Sequence, residues 1–432
     1  MELSPFSFRL SSLILEIIER KKVSLDIALK EALKKLRTYE EAPKAYRIAI
    51  IALKRFAEAD LLLKSKGMLG IPLRRKCAFR VAYSLVKEGL VEVKDIRGVR
   101  GGLLSNRLLR LFTKGELENV ENLINSLPIA ERLSIKFSTP KWIVETFLRF
   151  LGERETTEIL KANLIRRRWI RVNTIKINIK DALKSLVERG LRPKIDKDYR
   201  FLIEVSDASI PLDNLPLIKR GHAILQDKGS VIVVESLGVK REDLILDVAA
   251  APGIKTSLIQ QVRNNEGNVI AVDISKKRVL AMKVLLKKLG VRGISIILGD
   301  ATRGFFRGKF DKVLIDAPCT NSGAMRQDPA LRLILWNKPG IERYHKLQHL
   351  MLINGIHMLK KGGVLVFSTC SFSEREGEAH FEQKMNDITL DPSGIKFGAR
   401  GYKEFSSSEY VRRLFPHLHG TIGFFIARAI KE

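Results

Sequence analysis

Two short stretches of the chain hold residues able to do covalent chemistry, Asp316-Ala-Pro-Cys-Thr-Asn-Ser-Gly323 and Ser368-Thr-Cys-Ser371. A cysteine in its thiolate form is a strong nucleophile, and each stretch supplies one. Asp316 stands shortly before Cys319, where a carboxyl group can bond to a substrate and stabilise charge that arises on addition. The chain has only three cysteines, too few to staple a protein of this length, so two in such settings point to reaction rather than to a disulfide framework. The third, Cys77, lies among Ala78, Phe79, Val81 and Ala82 at helical spacing and reads as a small buried hydrophobe.

Such chemistry needs rigid elements to carry it. Lys312-Val-Leu-Ile-Asp316 and Val364-Leu-Val-Phe367 are short apolar runs bounded by charge and glycine, the pattern of buried strands in a parallel sheet. Both cysteines then fall just past carboxyl ends of strands, where open α/β sheets bind ligands. From Gln226 onward strands and helices alternate: strands at Leu244–Val248, Val269–Asp273, Ser295–Leu298, Lys312–Ile315 and Val364–Phe367, with helices at Lys255–Val262, Ser275–Leu289 and Glu342–Leu359. Repeated βα units dictate an α/β fold with a doubly wound, mostly parallel sheet. Gly423-Phe-Phe-Ile-Ala427 would add a last, antiparallel strand.

Asp247-Val-Ala-Ala-Ala-Pro-Gly-Ile-Lys255 joins a strand to a helix at the place where a nucleotide-like cofactor meets such a sheet. Ala249, Ala250, Ala251 and Gly253 keep side chains away from a ligand, and Pro252 suits a helix start. Ile254 follows, and Lys255 in the first helical turn opposes the helix dipole and calls for an anionic partner. Asp273 ends the next strand, the position from which an acid grips ribose hydroxyls. Asp300 ends the one after and can accept from an adenine amino group, and Asp316 completes the pocket. The turn lacks the glycines of a dinucleotide site. Adenosine without phosphates is the expected occupant, carried by S-adenosylmethionine.

The rest of the chain speaks to the partner. Lys and Arg number 77 against 48 Asp and Glu, a formal charge of +29, which argues for a polyanion such as nucleic acid; a lysine-rich solvated surface is the competing reading. Residues 1–136 show helical spacing, as in Leu10, Leu13, Ile14, Ile17, Ile18 and in Ile48, Ile51, Ala52, Phe56. This reads as a helical RNA-binding bundle with basic clusters at Lys34-Lys35-x-Arg37, at Arg74-Arg75-Lys76, and at Arg97, Arg100, Arg107 and Arg110 around Gly101-Gly102. Prolines at 128 and 140 mark a boundary. A small α+β segment, 137–222, then holds strands at Trp169–Asn173 and Phe201–Val205 around a helix at Asp181–Arg189. Arg166, Arg167, Arg168 and Arg171 beside Trp169, with Arg326 further on, are its candidate RNA contacts, since guanidinium holds phosphate and indole stacks on a base; a core Trp with solvated arginines is the alternative. Residues 223–432 form the third, cofactor-binding part.

No apolar run approaches the ~20 residues that span a bilayer. No secretory signal is evident, and His417-x-His419 lacks a metal-binding context. The expectation is a cytoplasmic protein, monomeric, without metal or membrane.

The two cysteine motifs, with Arg326 and Pro329 after the first and Glu376-Gly-Glu378 after the second, resemble those of the Sun (Fmu) family of RNA cytosine-5 methyltransferases. The similarity runs from about Ser138 to the end of the chain. It takes in Arg171-Val-Asn173, Gln226-Asp-x-x-Ser230 and Pro416-His-x-His-x-Thr-x-Gly-Phe-Phe425. The layout is RsmB-like, with a NusB-like helical bundle in front. The resemblance implies a Rossmann-like class I methyltransferase domain that transfers methyl from S-adenosylmethionine to C5 of cytidine in ribosomal or transfer RNA. Cytosine C5 is a poor nucleophile until a thiolate adds at C6. The family implies Cys370 as that nucleophile, Cys319 as an aid to breakdown of the adduct, and Asp316 at the pyrimidine edge. Three positions depart from the family pattern: Ile254 and Asn321 replace glycines, and Gly377 replaces an asparagine between the two glutamates. A non-catalytic RNA-binding assembly factor that keeps cofactor binding is the other reading. Methylation of an exocyclic nitrogen or a protein would leave paired cysteines without a use.

Overall fold

The apolar spacing of the first third folds into helices in the computed structural model, which describes every residue except 1, 38, 206–211, 304–309, 338, 339 and 384. Ser4 caps the first helix, Pro5–Lys21, in a reciprocal pairing with Ser7, and Pro5 supplies the fixed φ suited to its opening turn. The helices Ala42–Ser65 and Leu73–Lys87 join it around a core that includes Phe8, Ile14, Ile18, Ile48, Ala52, Phe56, Phe79 and Tyr83, all fully buried. Cys77 is buried there too, and burial pushes its thiol up to about 12.

The chain divides into two compact units, Met1–Leu164 with Asp328–Pro339, and Ile165–Gln327 with Gly340–Glu432. The helical unit runs past the break expected near Ser138. Ser138 Oγ accepts from the Ala57 amide at 3.2 Å, and the helix Lys141–Leu164 follows in the same unit. The segment after Gln327 also belongs to it. Trp336 meets Phe56 edge-on, with centroids 4.9 Å apart, and the Trp142 indole donates to Leu335 O at 3.1 Å. Arg332, fully buried, donates to Phe137 O at 2.7 Å, Thr139 Oγ1 at 3.0 Å and Asn163 O at 2.9 Å.

The second unit contains two sheets. Strands β1 (Arg168–Val172), β2 (Pro193–Ile195), β3 (Leu202–Val205) and β4 (Ala223–Leu225) form an antiparallel sheet in the order β2-β3-β1-β4. The larger sheet comprises β5 (Ile245–Val248), β6 (Val269–Asp273), β7 (Ile294–Leu298), β8 (Phe310–Asp316), β9 (Leu359–Thr369), β10 (Ile388–Leu390), β11 (Ala399–Arg400), β12 (Val411–Leu414) and β13 (Phe424–Lys431). Its order is β11-β12-β13-β9-β8-β5-β6-β7, with β10 on β13. From β9 through β8, β5 and β6 to β7 the pairing is parallel, and β13 runs antiparallel to β9 as expected. Strand order reverses between β5 and β8, so the crevice at their carboxyl ends is the binding place that this topology creates. Helices Lys228–Ser236, Ile254–Val262, Lys276–Leu289 and Ile341–Met358 alternate with the strands. β5 is buried along its whole length, the both-faces-covered pattern of a parallel sheet with helices on each side.

Candidate active site

β8 and β9 lie side by side in register, Asp316 opposite Ser368, so the loops that follow them emerge together. This brings Cys319 and Cys370 to 3.3 Å between sulfurs, both as free thiols. Cys319 is buried and Cys370 half-buried. The hydrogen bond with Cys370, then burial, then the charge of Glu376 push the Cys319 thiol well up, so it stays protonated at neutral pH.

Asn321 stands beside the sulfurs. Its Oδ1 accepts from Cys370 Sγ at 2.9 Å, and its φ is 59°, in the left-handed region where glycine is at ease and asparagine tolerated. The departure from glycine therefore keeps the loop path and adds a hydrogen bond to the thiol. Gly323 ends the motif against Gly423, where a Cβ would meet Gly423 O at 2.2 Å. At Gly377 a Cβ would meet the Arg413 guanidinium at 2.7 Å. That guanidinium is buried and paired with Glu378 at 2.5 Å, filling the space a side chain at 377 would need.

Asp316 accepts from Lys255 Nζ at 2.5 Å and from Ser368 Oγ at 2.9 Å. The anionic partner that Lys255 required is thus Asp316, and the lysine ties the cofactor turn to the reacting loop.

Asp247, Ala249, Asp273, Asp300 and Asp316 gather along the carboxyl edge of the sheet, on β5, β6, β7 and β8 or just beyond them. Ala249 has φ 61° and Gly253 φ 95°, which turn Ala250 and Ala251 under the strand ends; a Cβ on Gly253 would meet Met282 at 2.8 Å. Pro252 lies ahead of the helix, which opens at Ile254, rather than inside its first turn. Asp273 accepts from the Ala251 and Ser275 amides at 3.2 and 2.9 Å and pairs with Arg278 at 3.2 Å. Hydrogen bonds from Thr302 hold the Asp300 carboxyl below its usual range. Asp247 is fully buried, with Thr256 Oγ1 donating to one oxygen at 2.6 Å and no partner on the other among the described residues. Small residues and acids in this arrangement fit an adenosine-bearing, cationic ligand.

The expected RNA contacts divide. Arg167 is exposed, pairing with Glu204 at 3.3 Å, and Arg166 and Arg168 are half-buried beside it. Trp169, Arg171 and Arg326 are buried instead. The Trp169 indole donates to Gly420 O at 3.3 Å within the core. Arg171 donates to Ser257 Oγ at 2.6 Å, and desolvation lowers its pKa to about 9. Arg326 holds the carbonyls of Ile165, Pro416 and Thr421 at 2.6, 3.3 and 3.2 Å. These three brace the domain, and the motifs around them do the same: Asn173 donates to Gly221 O and Leu289 O, and Asp227 caps its helix and accepts from the Ile422 amide.

In the helical unit, basic clusters far apart in sequence converge. Arg9, Arg74, Arg75 and Arg100 line a groove of about 500 Å³ that opens beside Gly101-Gly102. Among the described residues no acid lines it. Glu376, a further functional candidate, carries no signal in the sequence beyond its place in the motif Glu376-Gly-Glu378. It is fully buried and bonded to both cysteine loops.

Among the described residues no helix is long and apolar enough to cross a membrane, and no group of three or more His, Cys, Asp or Glu side chains is arranged to hold a metal.

Residues 234–430 match the family described as 16S rRNA methyltransferase RsmB/F. The 28S rRNA (cytosine-C(5))-methyltransferase of Mus musculus is 32% identical over 312 residues, which cover 68% of this chain and 39% of the relative. The chain therefore spans well under two thirds of that protein's length. The crystal structure of PH0851 is 25% identical with a TM-score of 0.81, covering 100% of both chains. That of NSun6 from Pyrococcus horikoshii with SFG is also 25% identical, with a TM-score of 0.61 over 68% of this chain and 98% of its own. The chain carries, over residues 234–430, a methyltransferase domain of the RsmB/F family.

Proposed function

We propose that the protein is an RNA cytosine-5 methyltransferase that uses S-adenosylmethionine and acts on ribosomal or transfer RNA. The observation that carries this is the pair of free thiols 3.3 Å apart on adjacent loops, beside the Asp316 carboxylate. S-adenosylmethionine, when bound, supplies an electrophilic methyl group. Ala249 to Lys255, Asp273 and Asp300 would hold it, with Asp316 at the boundary between donor and base.

Cys370, the more exposed sulfur, loses its proton to solvent and bonds C6 of the target cytosine, which makes C5 nucleophilic. Asp316, fixed by Lys255 and Ser368, accepts from the exocyclic amine at the pyrimidine edge and holds the base, whose N3 takes a proton from solvent as the thiolate adds and returns it as the sulfur leaves. After methylation the C5 proton passes to solvent and the C6–sulfur bond breaks, leaving Cys370 as thiolate. Cys319, held protonated, donates to that sulfur and stabilises it on departure. A target base in paired RNA must first leave its stack.

The arginine groove of the helical unit supports RNA holding there, and Arg167 is the exposed contact beside β1. A monomer in a reducing cytoplasm suits a site built from two free thiols.

The test follows labelled methyl from S-adenosylmethionine into cellular RNA, with nucleoside analysis. Wild type is expected to form 5-methylcytidine, Cys370→Ala to form none, and Cys319→Ala to trap a covalent RNA adduct. An adduct that persists in Cys370→Ala would reverse the two roles. Cofactor binding without transfer to any RNA would favour the assembly-factor reading.

A further inference from the structure

Glu376 sits in the one-turn helix Glu374–Glu376, fully buried, and no lysine or arginine pairs with it among the described residues. Its Oε1 accepts from the Thr320 amide at 2.9 Å, and its Oε2 accepts from Thr320 Oγ1 and Ser371 Oγ, each at 2.6 Å. Its backbone carbonyl accepts from Thr369 Oγ1 at 2.8 Å. Gln348, also fully buried on the helix Ile341–Met358, donates through Nε2 to Glu376 Oε1 at 3.2 Å and to Pro318 O at 2.9 Å. Gln348 Oε1 in turn meets His380 Nε2 at 3.0 Å. Burial drives His380 down to about 2, so its ring is neutral, and the bond to a carbonyl oxygen fixes Nε2 as its protonated nitrogen.

The residues on either side of both thiols, Pro318 and Thr320 around Cys319, Thr369 and Ser371 around Cys370, are therefore all bonded to Glu376 or to Gln348. A carboxylate is the only side-chain group that accepts at both ends without donating at either. That property is what lets one residue take two hydroxyls and a backbone amide at once. A buried charge held without a cation is costly unless its acceptors are satisfied, which they are here only while both loops stay in place.

We propose that Glu376, oriented by Gln348, is a positioning residue that locks the Cys319 and Cys370 loops at the sulfur–sulfur separation the two-cysteine reaction uses. The inference rests on the reaction proposed above for its catalytic meaning, but its geometric claim stands apart from turnover. Glu376 touches neither sulfur nor substrate and acts through the loops alone.

Glu376→Gln keeps size and shape but turns one acceptor into a donor. It is expected to lower kcat for methyl transfer about 100-fold, the scale of a misplacement near 1 Å, while KM for RNA and affinity for S-adenosylhomocysteine stay at wild-type values. Gln348→Ala is expected to lower kcat about tenfold, and the double variant to be no slower than Glu376→Gln, because one residue acts through the other. Thr320→Val removes one hydroxyl that donates to the carboxylate while keeping the carboxylate itself, and is expected to lower kcat alone should Glu376→Gln not fold.

Dibromobimane, which bridges only neighbouring thiols, gives a readout independent of activity. Wild type is expected to crosslink Cys319 to Cys370, and the Glu376→Gln and Thr320→Val proteins to crosslink poorly. Wild-type crosslinking and wild-type kcat in the variants would overturn the proposal, as would loss of cofactor affinity in step with kcat, which marks a general folding role. A wild type that crosslinks but methylates no RNA would overturn the proposed reaction and leave the positioning claim to the crosslink comparison.

Discussion

Asp247 shows how a single residue in this fold carries a pH dependence. It lies wholly out of water, one oxygen bonded by Thr256 and the other without a partner among the described residues. Burial, reinforced by the charge of Asp316, outweighs the Thr256 bond and pushes its pKa from 3.8 to about 7. The folded state then binds this proton more tightly than the unfolded chain. The contribution is complete below about pH 4 and is lost as pH rises to about 7. Asp247→Asn cannot titrate, so its stability relative to wild type is expected to improve across that window and level off above it. Urea unfolding at a series of pH values checks this; parallel curves would mean that Asp247 is already ionised in the fold. At the same scale, the cysteines, Asp316 and the acids at strand ends were legible from residue type and position. The Lys255–Asp316 pair was legible only as a need for some anion, because no local pattern says which strand end faces the cofactor helix.

Among the elements, the long βα units were readable because a parallel strand is a continuous apolar run and an amphipathic helix has its own period. Short strands such as β2, β4, β10 and β11 were not. Two or three residues carry no periodicity, and pairing alone makes them strands. The segment Asp328–Pro339 was also hidden, since its charged Arg332 reads as surface. In the fold Arg332 is a brace for Phe137, Thr139 and Asn163, and desolvation lowers its pKa to about 10. Arg332→Ala leaves these acceptors buried without donors and is expected to cost about 3 kcal/mol. Equilibrium urea unfolding, with helical content followed by circular dichroism, measures that loss; a change under about 0.5 kcal/mol, the scatter of ordinary surface substitutions, would mean that water replaces the guanidinium.

For the molecule as a whole, the charge of +29 predicts salt-sensitive attachment to RNA. Arg74 and Arg75 are exposed at the start of the helix Leu73–Lys87, whose first turn holds no acid and whose Pro72 cap makes no side-chain bond. They share their groove with Arg9 and Arg100. Replacing Arg74 and Arg75 together with alanine is expected to weaken RNA binding and to reduce the slope of log affinity against log salt by about 1.5, since each phosphate that an arginine neutralises adds ~0.7–0.9 to that slope. Affinity for S-adenosylhomocysteine should not change. Fluorescence anisotropy over a salt series reads both effects, and an unchanged slope would remove the groove from the RNA path.

The sequence by itself determined the α/β class and the alternation of strand and helix, and offered the candidates for the cofactor turn and the reacting side chains, because those follow from local periodicity and from which residues can do the chemistry. Only the tertiary structure decided which of the basic and aromatic candidates face water. Arg171, Arg326 and Trp169 look like surface groups in isolation, yet the backbone carbonyls and hydroxyl to which they donate lie far away in the chain. It also decided that Cys319 and Cys370 meet, through the side-by-side register of β8 and β9 and the buried carboxylate of Glu376. Pairing across a parallel sheet is a long-range interaction, and no spacing along the chain encodes it.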